Sequence, residues 1–366
     1  FLVPKFLVNE DGSLGERNDV VTAGVEHKLG IHASPTCTLN YGENGGAVGY
    51  LVGEANRGLA AMFIMMNAAR LAVGLQGVAV ADRATQQAIA YANDRTQGRG
   101  PRAKRGDMSP IIEHADIRRT IMKMRAATCA ARAICLVTAR ELDIAERAGT
   151  KDEREAAHMR AALLTPVAKA YSTDIGVEVA SLGIQVHGGM GYVEETGAAQ
   201  YYRDARILPI YEGTNGIQAI DLVTRKLPLD DGAVAASLIE ELAETVEEVR
   251  ASNRPEFGRM AERLSDAVDA LKRASLWLGE QMQDNPEAAL AGATPYLRLF
   301  GLTAGGVYLA RGALLAARDN GGAAGARVTL ARFWAETEVA LAPGIAAQIT
   351  EGADGVLAMP IERLSA

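Results

Sequence analysis

From Asn56 onward, apolar residues recur every three or four positions, and glycine- or proline-bearing segments break the rhythm only at intervals. That periodicity is what most constrains the fold. In the first stretch Leu59, Met62, Phe63, Met66, Ala69 and Val73 share one helical face, which predicts a helix from Asn56 to about Asp94. A second helix is expected over residues 111–149, with Ile121, Met124, Thr128, Cys135, Leu142 and Ile144 as apolar positions. The charged stretch Glu141 to Arg154 reads as a helix end and loop, and a third helix over 155–186 is kinked or restarted by Pro166. Beyond Pro228, helices are expected over 231–251, 256–283, 294–318 and 326–350, separated at Pro255, Pro295, Gly321-Gly322 and Pro343. Residues 1–55 differ. There Phe1 to Val8 reads as a strand, Asn9 to Gly12 and Asn40 to Gly46 as turns, and Ala47 to Val52 as a further strand. The fold class is α+β, mostly α.

A chain of 366 residues, 48% hydrophobic, buries a sizeable core and divides into two or three domains. Only 5% is aromatic, so Ala, Leu, Ile, Val and Met must fill that core, with Trp277, Phe300 and Trp334 as interhelical anchors. The net charge of -7 provides no basic field for nucleic acid or an anionic membrane. Residues 59–81 are hydrophobic enough to span a bilayer but contain Asn67, Arg70 and Gln76. A central Arg costs about 2.5–3.5 kcal/mol on insertion scales, which favours a buried soluble helix over a membrane span. The opening residues lack the charged region and cleavage site of a signal peptide. Cys37, Cys129 and Cys135 have no paired spacing, so neither a disulfide framework nor zinc is expected, and a cytoplasmic setting fits. His27 and His32 have no third ligand at a recognisable spacing, so no metal is expected.

The chemistry concentrates in Arg203-Asp-Ala-Arg-Ile-Leu-Pro-Ile-Tyr-Glu-Gly-Thr-Asn-Gly-Ile-Gln218. Asn215 reads as the N-cap of a new helix and Gln218 as its capping-box partner, which puts Glu212 just before a helix N-terminus. A carboxylate there is either stabilised by the helix dipole or set up as a functional base. Arg70 lies in an apolar stretch and needs a partner. The break from Tyr91 to Pro101, which carries Arg95 and Gln97, continues in a polar loop to Pro110. Gly183-Ile-Gln-Val-His-Gly-Gly-Met-Gly-Tyr192 closes the third helix without the spacing of a dinucleotide-binding turn.

Taken in order, Arg95-x-Gln97, Gln185-x-x-Gly188-Gly189 and Tyr211-Glu-Gly-Thr214 resemble the motifs of the acyl-CoA dehydrogenases, a likeness that covers residues 1 to about 227. The resemblance implies the end of a middle β-domain over 1–55, in which Leu29 to Ser34 is the strand that meets substrate and flavin. It implies a four-helix bundle with the FAD and acyl-CoA site over 56–227. The additional helical domain over 228–366 resembles the longer subgroup that contains 3-methylmercaptopropionyl-CoA dehydrogenase. By the same resemblance Glu212 removes the α-proton of an acyl-CoA while flavin N5 takes the β-hydride. Arg95, Gln97, Gln185, Gly188, Gly189 and Thr214 would then bind FAD, and Arg70, Tyr211 and Gly213 the substrate.

Two positions depart from common family patterns. Gly98 stands where a Phe is usual, and Ala69 stands where one branch carries its catalytic Glu, which leaves the proton to Glu212. The family's N-terminal helical domain and Thr-Glu-Pro-type loop do not occur in this sequence, so the resemblance implies the C-terminal part of a longer protein. It further implies an electron-transferring flavoprotein as partner, a short or thioether-containing acyl chain, and a homodimer or homotetramer in which Arg95 and Gln185 reach a neighbour's flavin. The alternatives are an acyl-CoA oxidase and a non-catalytic flavoprotein of the same fold.

Overall fold

The computed structural model describes residues 1–101, 104, 106–318 and 324–364, without the side chains of Phe63, Ile64 and Asn67. The expected Gly321-Gly322 break, and the Phe63 and Asn67 side chains, lie outside the described residues. The chain divides into two compact units, Phe1–Ala69 and Arg70–Ala366.

In the first unit β1 (Phe6–Val8) pairs antiparallel with β2 (Leu14–Arg17), and β3 (Val20–Val25) with β4 (Cys37–Tyr41), in a register that sets Val21 opposite Asn40. The Asn9 to Gly12 turn forms as expected, closed by Gly12 N–H donating to the Asn9 carbonyl at 2.9 Å. The expected outer strands are shorter. Only Phe6–Val8 of the first is a strand, and Ala47 to Val52 retains a single bridge between Leu2 and Tyr50. Buried Asn18 is the reason: its side chain donates to the Val48 carbonyl at 2.8 Å and accepts from the Val48 N–H at 2.9 Å, occupying the groups a ladder would need. Leu29 to Ser34 is a turn and not a strand. Ile31 has φ +47°, Ser34 N–H donates to the Ile31 carbonyl at 3.0 Å, and Pro35 has no N–H to offer a neighbouring strand.

Helix α1 runs over Gly58–Asp94, followed by α2 (Ala115–Arg147) and α3 (Lys151–His187). The expected loop over Glu141 to Arg154 shrinks to the link between α2 and α3. Thr150 accepts from the Glu153 N–H at 3.2 Å while Glu153 accepts from the Thr150 N–H at 3.1 Å, a capping box that starts α3 four residues earlier than the apolar pattern indicates. Pro166 neither restarts nor ends α3. Every residue from Leu163 to Thr173 is buried, and that packing carries the helix across the missing N–H. From Arg70 onward α1 lies against α3 at close range: a Cβ on Gly77 would meet the Ser172 carbonyl oxygen at 2.4 Å.

Short helices α4 (Gly189–Tyr192), α5 (Ala198–Ala205) and α6 (Asn215–Asp221) follow, then α7 (Ala233–Ala251), α8 (Met260–Asp284), α9 (Pro286–Ala291), α10 (Ala293–Ala316), α11 (Ala324–Thr337), α12 (Ala342–Glu351) and α13 (Ala353–Leu357). Pro343 sits in the first turn of α12, so the expected 326–350 helix is divided between α11 and α12. Among the described helices α10 is long and apolar enough to cross a membrane, with 72% of its apolar window buried in the protein. It packs on α2, α3, α6, α7, α8, α11 and α12, and this burial of most of its surface accounts for its apolar composition, while Arg298, Arg311 and Leu315 stay exposed. Phe300 and Trp334 are fully buried anchors, whereas Trp277 lies half-buried at the edge. One continuous core extends from Leu71 to Ile349, through helices on both sides of Pro228.

Candidate active site

The segment between α5 and α6 folds as a chain of tight turns. The Tyr211 N–H donates to the Ile207 carbonyl at 3.1 Å and the Asn215 N–H to the Pro209 carbonyl at 2.9 Å. At its apex Glu212 has φ +56° and Gly213 φ +81°, consecutive left-handed residues. Glycine takes this conformation freely, but a glutamate does not. The cap differs from expectation. Thr214 is the N-cap of α6, accepting from the Ile217 N–H at 3.3 Å, and Asn215 is the first helical residue. Both residue types cap well. Asn215 is drawn inward instead, where its amide donates to Asp174 at 2.8 Å, to Thr173 Oγ1 at 3.0 Å and to the Ala170 carbonyl at 3.1 Å.

Beneath this loop lies Lys169, fully buried in the middle of α3. Its Nζ donates to the Gly213 carbonyl and to Asn215 Oδ1, both at 2.9 Å. Burial pushes the Lys169 ammonium down to about 8, with Arg70 acting in the same direction and Asp174 and Glu212 against it. Burial also raises Asp174, and burial together with the Glu212 charge raises the Tyr211 phenol. Gln218, also fully buried, donates from Nε2 to the carbonyls of Glu212 and Gly213 at 3.4 Å each, so it serves the loop and not a capping box on Asn215. The Tyr211 hydroxyl donates to the Gln76 side-chain oxygen. Among the described residues the half-buried Glu212 carboxylate has no hydrogen-bond or ion-pair partner, and the Glu212 N–H makes no hydrogen bond.

Arg70 finds the partner its apolar setting demands in Asp221, 3.5 Å away and itself held at 2.6 Å by Arg225. Arg70, Tyr211, Glu212, Gly213 and Thr214 thus gather around the α5–α6 loop and α6. The other predicted residues meet elsewhere. Arg95, Gln97, Gln185, Gly188 and Gly189 line an open groove of about 730 Å³, together with Tyr91 and His187 among others. Its near wall is a small backbone ladder in which the Ile111 N–H donates to the Arg95 carbonyl at 2.8 Å and the Gln97 N–H to the Ser109 carbonyl at 3.0 Å. Gly98 turns that ladder at φ +66°, and His114 Nε2 lies 2.7 Å from the Gln97 carbonyl oxygen. Gly188 ends α3 at φ +60°, and a Cβ at Gly188 or Gly189 would meet nothing within 4 Å, so both backbones are open. His187 is structural: it is buried, bonded to the Gly183 carbonyl at 2.7 Å and stacked on Tyr91 with ring centres 4.5 Å apart.

Sequence reasoning missed Lys169, Gln76 and Asp221. A lysine inside the apolar run from Leu163 to Ala170 was the available signal for the first.

Residues 56–227 match the family model "acyl-CoA dehydrogenase, C-terminal domain", and residues 238–360 match "acetyl-CoA dehydrogenase C-terminal like". The chain is 44% identical to 3-methylmercaptopropionyl-CoA dehydrogenase of Ruegeria pomeroyi over 98% of its own length and 61% of the relative's. It is 34% identical to the broad-specificity linear acyl-CoA dehydrogenase FadE5 of Mycobacterium tuberculosis, over 78% of this chain and 48% of that one. In fold it is similar to Caenorhabditis elegans ACDH-11 in complex with C11-CoA, with a TM-score of 0.74 at 20% identity over 96% of this chain and 59% of that one. An acyl-CoA dehydrogenase from Bacillus anthracis complexed with FAD gives 0.70 at 20% identity, over 95% and 58%. The chain therefore spans 61% or less of the length of each of these relatives. Two family models in tandem and the extended identity lead to one conclusion: the chain belongs to the acyl-CoA dehydrogenase family.

Proposed function

We propose that the protein is an FAD-dependent acyl-CoA dehydrogenase that converts an acyl-CoA thioester to the 2-enoyl-CoA, with Glu212 as the base. The observation that carries this reading is the Glu212 carboxylate itself, half-buried, unpartnered among the described residues and mounted on a left-handed backbone. A carboxylate in that state is free to take a proton, and strained backbone concentrates at functional sites. Removing a proton next to a thioester puts negative charge on the carbonyl oxygen. The unbonded Glu212 N–H is a donor for that charge.

The groove at the end of α3 suits the diphosphate of FAD. Arg95 supplies a planar cationic donor, Gln97 and Gln185 supply amides, and Gly188 and Gly189 allow close approach to the backbone. When bound, FAD supplies the hydride acceptor, and the protein's part is orientation and electrostatics. Tyr211 and Gly213 adjoin the base in the chain and, with Arg70, are assigned to the substrate in this reading, and Thr214 to the flavin. The relative from Ruegeria pomeroyi supports 3-methylmercaptopropionyl-CoA or another short acyl-CoA as substrate. The reading includes an electron-transferring flavoprotein as acceptor, a homodimer or homotetramer, and a division into residues 1–55, 56–227 and 228–366. The free Cys37, Cys129 and Cys135 accord with a cytoplasmic setting.

The test is anaerobic titration of the full-length, FAD-loaded protein with a panel of acyl-CoAs that includes 3-methylmercaptopropionyl-CoA, following flavin absorbance. Bleaching by one thioester is expected, slowed about 10²–10⁴-fold in Glu212→Gln with flavin still bound. No bleaching by any thioester, or near-normal bleaching in Glu212→Gln, overturns the reading. Peroxide formed in air at the turnover rate would mark an oxidase.

A further inference from the structure

Lys169 and Gln218 come from different helices, yet their side chains converge on the Gly213 carbonyl. Lys169 reaches up from α3 to the Gly213 carbonyl, and Gln218 reaches back from α6 to the carbonyls of Glu212 and Gly213. Both side chains are fully buried, where a donor that lost its carbonyl partner would go unsatisfied at a cost. The peptide planes that follow Glu212 are therefore gripped from below by donors that cannot swing away into solvent. A left-handed glutamate persists only where its surroundings over-determine it. If either plane flipped, a carbonyl would leave its buried donors and the carboxylate of Glu212 would turn with its Cα. The grip is itself braced, because the Asn215 amide that accepts from Lys169 also donates to Asp174, Thr173 and Ala170.

We propose that Lys169 and Gln218 are positioning residues for proton abstraction: they lock the backbone of Glu212 and Gly213 so that the Glu212 carboxylate and N–H face the acyl thioester together. Both side chains lie fully buried beneath the loop. Their effect passes through the loop, and the inference rests on Glu212 being the base.

The experiment compares full-length, FAD-loaded wild type with Lys169→Met and Gln218→Met, each of which keeps the length of the side chain and removes the donors. Anaerobic stopped-flow bleaching by an acyl-CoA that reduces the wild type is measured with ordinary and α-deuterated thioester, beside flavin content and melting temperature. Loss of positioning is expected to slow bleaching roughly 10- to 100-fold at saturating thioester, since small misplacements of a reacting group have effects of that size. The half-saturating concentration should stay within about threefold, as ground-state binding is not what the clamp supplies. The α-deuterium isotope effect should rise, because proton transfer becomes the slow step. Wild-type rates in both variants, or a rate loss that tracks flavin loss without a change in isotope effect, overturn the proposal. So does failure of both variants to fold, which would make the pair structural. If the wild type itself is bleached by no acyl-CoA, the parent reading fails and takes the clamp's catalytic role with it; if the wild type bleaches and the variants match it, only the clamp fails.

Discussion

The Arg70 guanidinium lies 3.5 Å from the carboxylate of Asp221, and both side chains are almost completely removed from solvent. The pair ties α1 to the end of α6, immediately beyond the Glu212 loop. Breaking a buried pair by removing one partner leaves an uncompensated charge, at a cost of ~3–5 kcal/mol. Asp221→Ala should therefore lower the urea midpoint markedly, and the double variant Arg70→Met/Asp221→Leu should recover most of the loss. Unfolding curves of the single and double variants check this, and equal losses in both would show that the charge pair is not the source.

Gly77 is required by space and not by backbone angle. Its Cα faces α3 so closely that an added Cβ would stand 2.4 Å from the Ser172 carbonyl oxygen and 2.9 Å from Thr173 Cα. Backbone atoms cannot give way as a flexible side chain does, so Gly77→Ala must push α1 off α3. Overpacking of this kind costs about 1–3 kcal/mol. Gly312→Ala, at an α10 position where a Cβ meets nothing within 4 Å, is the control. Thermal unfolding should separate the two substitutions clearly.

Lys169 gives stability a definite pH dependence. Its ammonium is pushed down to about 8 in the fold from an ordinary 10.5. Between those values the unfolded chain holds a proton that the folded protein has released, so the group's contribution makes the fold more stable as pH rises through this window. Below about 8 the buried charge opposes folding in full, on the order of 3 kcal/mol for a shift of this size. Other groups titrate over the same range, and the difference between wild type and Lys169→Met isolates this one. The stability of Lys169→Met relative to wild type should be most favourable near pH 7 and decline toward pH 10.5. A difference independent of pH would refute the assignment.

Arg95 tests the groove separately from the base. Its side chain is exposed on a loop braced by backbone hydrogen bonds, so Arg95→Ala should leave the fold intact. What it should lose is an anchor for the flavin diphosphate, worth about 1.5–3 kcal/mol for hydrogen bonds to a charged group. That corresponds to roughly 10- to 100-fold weaker FAD retention, measurable by gel filtration and flavin fluorescence. Full flavin loading with an intact oligomer would remove Arg95 from the site.

Much of the helical framework was legible in the sequence because a helix announces itself locally. Apolar spacing located α1, α2, α3, α7 and α8 within a few residues, and the order of Arg95, Gln185 and Glu212 carries the family resemblance in the sequence alone. Boundaries and caps were less legible. Thr214 and Asn215 are both good N-caps, and the choice fell to Thr214 only because Asn215 is engaged by Lys169 and Asp174, residues some 40 positions away in sequence. The stretch 47–52 has strand-like composition, but a strand exists only when another strand takes its hydrogen bonds, and Asn18 had already taken those of Val48. The grouping of the site followed the same division. Sequence by itself determined the helical framework and the order of the residue types from which the site is proposed, since residue type and periodic spacing are local properties. Only the tertiary structure decided that Lys169 and Gln218 lie beneath Glu212, because burial and three-dimensional hydrogen bonding join residues that no local pattern connects.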